Sequence, residues 1–138
     1  ELKKLSVNIN YITDGDIAGA LSVIGNNPKN DIYYSTGGAP EGVVVAAALS
    51  CYGGQIQGKL VLNDEEKIRA KKLGIKDYNK KYNIEDMIKG DVIFCATGVT
   101  SGDLASGVKD LGNEFEVNTF ALHKSQDTIK SVKNIYNK

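Results

Sequence analysis

Leu5, Val7, Ile9 and Tyr11 alternate with Ser6, Asn8 and Asn10, the period of a strand with one covered face. After the corner Asp14-Gly15-Asp16, Ile17, Leu21 and Ile24 share one helical face, and Gly25-Asn26-Asn27-Pro28 stops that helix. Ile32-Tyr33-Tyr34 reads as a short strand. Pro40 falls in the first turn of the next helix, where a missing N–H is tolerated. Positions 43–49 are apolar on all sides, which predicts a buried helix ending at Gly53-Gly54.

Further along, Lys59-Leu60-Val61-Leu62 reads as a strand, and Asn63 or Asp64 caps a helix that carries Ile68 and Leu73 and stops at Gly74. Positions 84–88 allow a short helix at most. Positions 92–96 are continuously apolar, as in a central strand covered on both faces. They run into Thr97-Gly98-Val99-Thr100-Ser101-Gly102-Asp103, a third strand–loop–helix corner, with Leu104 and Val108 on the helix expected after it. Phe115, Val117, Thr119 and Ala121 alternate as a strand. Ile129, Val132 and Ile135 recur at a helical period, but the β-rich surroundings favour a closing hairpin around Ser125-Gln126-Asp127. The expected architecture is a single layered α/β domain over residues 1–138. It has a mostly parallel sheet, flanking helices and a C-terminal antiparallel hairpin.

A length of 138 residues suits one domain with a sizeable core. Seventeen basic and 17 acidic side chains balance, so no global field steers the chain to nucleic acid or membrane. The pairs Lys71-Lys72 and Lys80-Lys81 lack interleaved aromatics and read as solvated surface. Cys51 and Cys95 have no ligand-spaced neighbours, so both are expected as buried, reduced thiols. Without a recognisable signal peptide or a membrane-length apolar run, a soluble, cytoplasmic protein is expected. The chain starts Glu1-Leu2-Lys3-Lys4, without Met, and enters an expected strand at once, which suggests a piece of a longer protein.

Chemistry concentrates in two segments, Thr13-Asp14-Gly15-Asp16-Ile17-Ala18-Gly19-Ala20 and Ser35-Thr36-Gly37-Gly38-Ala39-Pro40-Glu41-Gly42. A strand that ends in glycines before a helix leaves free backbone N–H groups at a concave corner suited to an anion. Open α/β sheets bind ligands at the same end of their strands. A bare carboxylate repels a phosphate, so Asp14, Asp16 and Glu41 in these corners make sense with a cation or sugar hydroxyls in between. Metal-assisted phosphate-ester chemistry follows. Glu41 either satisfies the helix dipole or supplies an oxygen ligand of the kind Mg²⁺ and Mn²⁺ prefer. One of Asp14 and Asp16 could cap a helix, but two acids around Gly15 exceed what capping needs and can accept from substrate hydroxyls. The loop at 97–103 carries hydroxyls but no evident catalytic group. His123, the only histidine, reads as structural. A dinucleotide site is disfavoured because Gly15 and Gly19 do not give G-x-G-x-x-G and Asp31 precedes the second strand.

Asp14-Gly15-Asp16-Ile17-Ala18-Gly19-Ala20, Thr36-Gly37-Gly38-Ala39-Pro40-Glu41-Gly42-Val43, Gly53-Gly54-Gln55-Ile56-Gln57-Gly58-Lys59-Leu60 and Ala96-Thr97-Gly98-Val99-Thr100 occur in that order. As a set they resemble the class II fructose-1,6-bisphosphatases, the bacterial type that also acts on sedoheptulose 1,7-bisphosphate. The resemblance implies the layered fold of the metal-dependent, lithium-sensitive sugar phosphatases. It also implies hydrolysis of the 1-phosphate of fructose 1,6-bisphosphate to fructose 6-phosphate and phosphate. By motif, Glu41 matches a ligand of Mn²⁺ or Mg²⁺, Asp14, Gly15 and Asp16 match a substrate-contacting triplet, and Gly38 matches a further substrate contact. Ser101 stands where Asp or Asn is common, and Ala121-Leu122-His123-Lys124-Ser125-Gln126-Asp127 departs from the usual basic pattern. Only the C-terminal part of such an enzyme is matched, which implies that further metal carboxylates lie upstream. A non-catalytic sugar-phosphate-binding or assembly module is the alternative, and a homo-oligomer is compatible with either reading.

Overall fold

An apolar helix laid against one face of an antiparallel sheet organises the chain, for which the computed structural model describes residues 2–25 and 27–138. A 3₁₀ turn at Leu2–Leu5 is followed by helix α1 (Asp16–Leu21), helix α2 (Ala39–Tyr52), strand β1 (Gly58–Lys59) and helix α3 (Asp64–Lys72). Then come strand β2 (Lys81–Tyr82), helix α4 (Ile84–Met87) and strands β3 (Ile93–Thr97), β4 (Lys109–Asp110), β5 (Glu114–His123) and β6 (Thr128–Asn137). The mixed α/β class expected from the sequence holds.

Strand β5 is the spine of the main sheet. Strand β6 pairs along its whole length, from Glu114↔Asn137 to His123↔Thr128, forming the C-terminal hairpin. On the other side of β5 lie β3, paired from Ile93↔His123 to Thr97↔Thr119, and β4, paired at Lys109↔Glu116 and Asp110↔Phe115. Strands β1 and β2 make a separate two-residue ladder. Every ladder among the described residues is antiparallel, where a mostly parallel sheet was expected. Connections between β4, β5 and β6 are short turns, and a parallel crossover needs a dozen or more residues. The two expected N-terminal strands, at 5–11 and 32–34, join no ladder among the described residues. Their alternation has no neighbouring strand to pair with, and Tyr11 and Ile32 stay open to solvent at 78% and 83% exposure.

The core gathers Ala20 and Leu21 of α1, Val45, Ala48, Leu49 and Cys51 of α2, Phe94 of β3 and Leu122 of β5. Helix α2 starts with Pro40 in its first turn and ends at Gly53, whose φ of 68° lets the chain turn away. It is covered on one side only, because Val43 and Val44 remain exposed at its N-terminal end. Strand β3 is likewise covered on one face: Phe94 is buried while Ile93 is 70% exposed and Cys95 is open. The expected two-sided burial of both elements fails because no second layer packs on them among the described residues. Cys51 matches the expected buried thiol, with burial pushing its pKa up, but Cys95 does not.

Helix α3 begins with a reciprocal cap. Asn63 Oδ1 accepts from the Glu66 N–H at 2.9 Å, and Glu66 Oε2 accepts from the Asn63 N–H at 2.8 Å. The helix expected at Leu104 and Val108 is a folded-back loop instead. The Gly102 N–H donates to Ala105 O, and the Val108 N–H to Val99 O. A Cβ on Gly107 would stand 2.6 Å from the Ser101 nitrogen, so glycine permits this backbone approach. In the Gly25-Asn26-Asn27-Pro28 stop, Asn26 lies outside the described residues, as does Glu1. The chain exposes 10406 Å², against about 7,000 Å² for a compact monomer of its mass.

Candidate active site

Gly15 occupies the left-handed region at φ 84° and forms the N-terminal boundary of α1 without any side-chain cap. Asp14 Oδ1 accepts from the Gly15 N–H at 2.7 Å, and Asp16 is the first helical residue. Neither acid therefore caps α1, which removes one of the two explanations for the pair. Asp16 Oδ1 accepts from the Tyr33 hydroxyl at 2.8 Å. The Tyr33 ring lies on Gly19, where a Cβ would stand 2.7 Å from a ring carbon and 2.6 Å from Ile12 Cδ1.

The second corner comes up against the first. Gly37 faces Asp16, and a Cβ there would sit 2.7 Å from Asp16 Oδ2. Gly38 precedes α2 in extended conformation, and the Glu41 carboxylate folds back over it, so any side chain on Gly38 would overlap Glu41 Oε2. A side chain at 37 or 38 would therefore displace a carboxylate, Asp16 or Glu41, rather than strain the backbone.

Asp14, Gly15, Asp16, Gly38 and Glu41, the five site residues proposed from sequence, all line one open cleft of about 700 Å³. Ile17, Ala18 and Val44 contribute its apolar walls, while Phe94, Cys95 and Ala96 of β3 and Leu104 complete it. None of the three acids forms an ion pair among the described residues, and no basic side chain lines the cleft. Three carboxylates without a counter-charge make a field that attracts a cation. Among the described residues, however, no group of three or more Asp, Glu, His or Cys side chains is arranged to hold a metal. The donor set fits a divalent ion as one oxygen ligand, Glu41, in a site that needs others.

No residue of the third corner, 97–103, lines the cleft; Leu104 just after it does. The corner's hydroxyls serve the fold: Thr97 Oγ1 lies 2.9 Å from Thr119 Oγ1, and Ser101 Oγ accepts from the Gly107 N–H at 3.0 Å. Asp103 pairs with Lys29 at 2.7 Å. His123 is outside the cleft, with Nε2 2.7 Å from Asp91 Oδ2 and 3.2 Å from Ser125 Oγ, where it fastens the end of the hairpin to the start of β3.

Two residues escaped the sequence reading. Cys95, in an apolar run, was expected to be buried, yet it is exposed and lies among the residues along the cleft. Tyr33 looked like one position of a short apolar strand, yet its hydroxyl reaches Asp16 from 17 residues away. Burial, opposed in part by a hydrogen bond with Ser35 and reinforced by Asp16, pushes the Tyr33 phenol above its ordinary value and keeps it a donor.

Comparison with known proteins defines the class. The family described as bacterial fructose-1,6-bisphosphatase, glpX-encoded, matches residues 1–136. This chain belongs to that family. It is 28% identical over 151 residues to fructose-1,6-bisphosphatase 2 class 2 of Escherichia coli (strain K12), covering 99% of this chain and 47% of the relative. It is 33% identical over 152 residues to the D-fructose 1,6-bisphosphatase class 2/sedoheptulose 1,7-bisphosphatase of Synechococcus sp. (strain JA-3-3Ab), covering 100% of this chain and 44% of the relative. The chain thus spans less than half the length of these relatives.

Proposed function

We propose that this chain is the C-terminal domain of a divalent-metal-dependent sugar bisphosphatase that removes the 1-phosphate of fructose 1,6-bisphosphate, releasing fructose 6-phosphate and phosphate. The observation that carries the reading is the meeting of Asp14, Asp16, Gly38 and Glu41 in one cleft of a chain from this family. In it, the Asp14 and Asp16 carboxylates accept hydrogen bonds from sugar hydroxyls and fix the substrate's orientation. Gly38, lacking a side chain, leaves room for both the substrate and the returning Glu41 carboxylate. Glu41 would supply a carboxylate ligand to Mn²⁺ or Mg²⁺. When bound, the ion supplies positive charge against the negative charge that develops on the transferring phosphoryl group. Sedoheptulose 1,7-bisphosphate is proposed as a second substrate because a relative is named for both activities and carboxylates address hydroxyls that both sugars carry.

A single metal carboxylate does not build a bisphosphatase site, so the 138-residue chain alone is expected to be inactive. Phosphate release from fructose 1,6-bisphosphate, with Mn²⁺ and with Mg²⁺, tests this on the chain and on the full natural polypeptide. The reading requires release by the full polypeptide only, reduced at least a hundredfold by Glu41→Ala. Release by the chain alone that Glu41→Ala abolishes would make the site self-contained. Binding of the bisphosphate without hydrolysis by either would instead identify a non-catalytic module.

A further inference from the structure

The Asp16 carboxylate is held by one hydrogen bond and faces the Gly37 backbone with its other oxygen. The Tyr33 hydroxyl donates to Oδ1 at 2.8 Å, while Oδ2 lies against Gly37 so closely that a Cβ there would be 2.7 Å away. The phenol cannot drift, because its ring is seated on Gly19, one helical turn beyond Asp16, with Ile12 beside it. The Tyr33 hydroxyl thus favours one orientation of the Asp16 carboxylate, with Oδ2 facing the Gly37 backbone.

We infer that Tyr33 is a positioning residue for the sugar bisphosphate: it touches no substrate itself but fixes the Asp16 carboxylate in the orientation that accepts from a substrate hydroxyl. This rests on the reading of Asp16 as a substrate contact. A carboxylate free to rotate must be immobilised when substrate binds, and the entropy lost then weakens binding. Held in advance by Tyr33, it loses less. Glu41 hangs from α2 and makes no hydrogen bond to Tyr33, so the metal requirement is independent of this device.

Tyr33→Phe in the full natural polypeptide tests the inference by steady-state kinetics on fructose 1,6-bisphosphate. Loss of a charge-assisted hydrogen bond is expected to raise KM about tenfold. The kcat and the Mn²⁺ concentration for half-activation stay within about twofold. Gly37→Ala, which presses on Oδ2 from the opposite side, is expected to raise KM likewise and provides a second variant should Tyr33→Phe fold poorly. In the Asp16→Asn background, Tyr33→Phe adds no further increase, because the orientation it guards no longer matters. An unchanged KM in Tyr33→Phe, alongside a raised KM in Asp16→Asn, overturns the inference and leaves the substrate contact standing. An unchanged KM in Asp16→Asn overturns both.

Discussion

Gly38 and Glu41 compete for one volume, which separates ligand binding from stability at a single residue. Gly38 has ordinary extended backbone angles, so alanine is tolerated there by the main chain. What a methyl group displaces is the far end of the Glu41 side chain, which is flexible and exposed. Gly38→Ala is therefore expected to leave chemical stability within about 0.5 kcal/mol of the parent. If Glu41 ligates the metal as proposed, the substitution should weaken divalent-metal binding in the full natural polypeptide about tenfold or more, checked by metal titration. The residues of the cleft were legible in the sequence because glycine next to acid is unusual where a strand meets a helix. Tyr33 was not, since a tyrosine in Ile32-Tyr33-Tyr34 carries the same hydrophobic signal whether its hydroxyl faces water or a carboxylate.

The hairpin of β5 and β6 is fastened by carboxylates at both ends. Asp91 holds Ser125 and His123 at one end, and Asp110 holds Lys138 at the other. Glu116 lies between Lys109 and Lys133 at 3.2 and 3.3 Å. Hydrogen bonds from Ser125 and His123 keep the Asp91 carboxyl far below its ordinary value, and the lysine partners lower Asp110 and Glu116. A carboxyl depressed on folding contributes stability that is complete above its unfolded value, about pH 4, and is lost as pH falls through the folded value. Urea midpoints measured between about pH 6 and pH 2 should therefore fall with acid, with a shallower fall in Asp91→Asn. Among the elements, β6, with apolar residues at a helical period, was favoured only by its β-rich surroundings, whereas α2, α3 and β5 were legible from apolar runs, caps and alternation. The parallel sheet was not, because strand periodicity is the same in both directions and direction is set by connection length. The helix after residue 103 failed because Gly98 and Gly107 are there to admit neighbouring backbone, a use that looks identical to a helix boundary.

At the scale of the whole molecule, surface dominates. The chain exposes 10406 Å², and the excess over a compact monomer coincides with apolar positions such as Val44, Ile93 and Val99. No helix among the described residues is long and apolar enough to cross a membrane, so a bilayer-spanning helix does not account for them. The isolated 138-residue chain is expected to bind the dye ANS at neutral pH while keeping its native far-UV circular dichroism. Addition of a polypeptide spanning the rest of a relative's length should suppress that fluorescence, and an unresponsive signal would count against a covering segment.

The place of Leu122 in the core also sets a timetable for synthesis. Leu122 is 1% exposed and packs in one cluster with Ala48, Leu49 and Phe94, which precede it by many residues. A ribosome adds roughly 5–20 residues per second. For several seconds after α2 is made, its apolar side has no sheet to rest on, and β3 has no β5 to pair with. The nascent chain is most vulnerable to capture by other chains in that interval, before the last strands emerge and close the core.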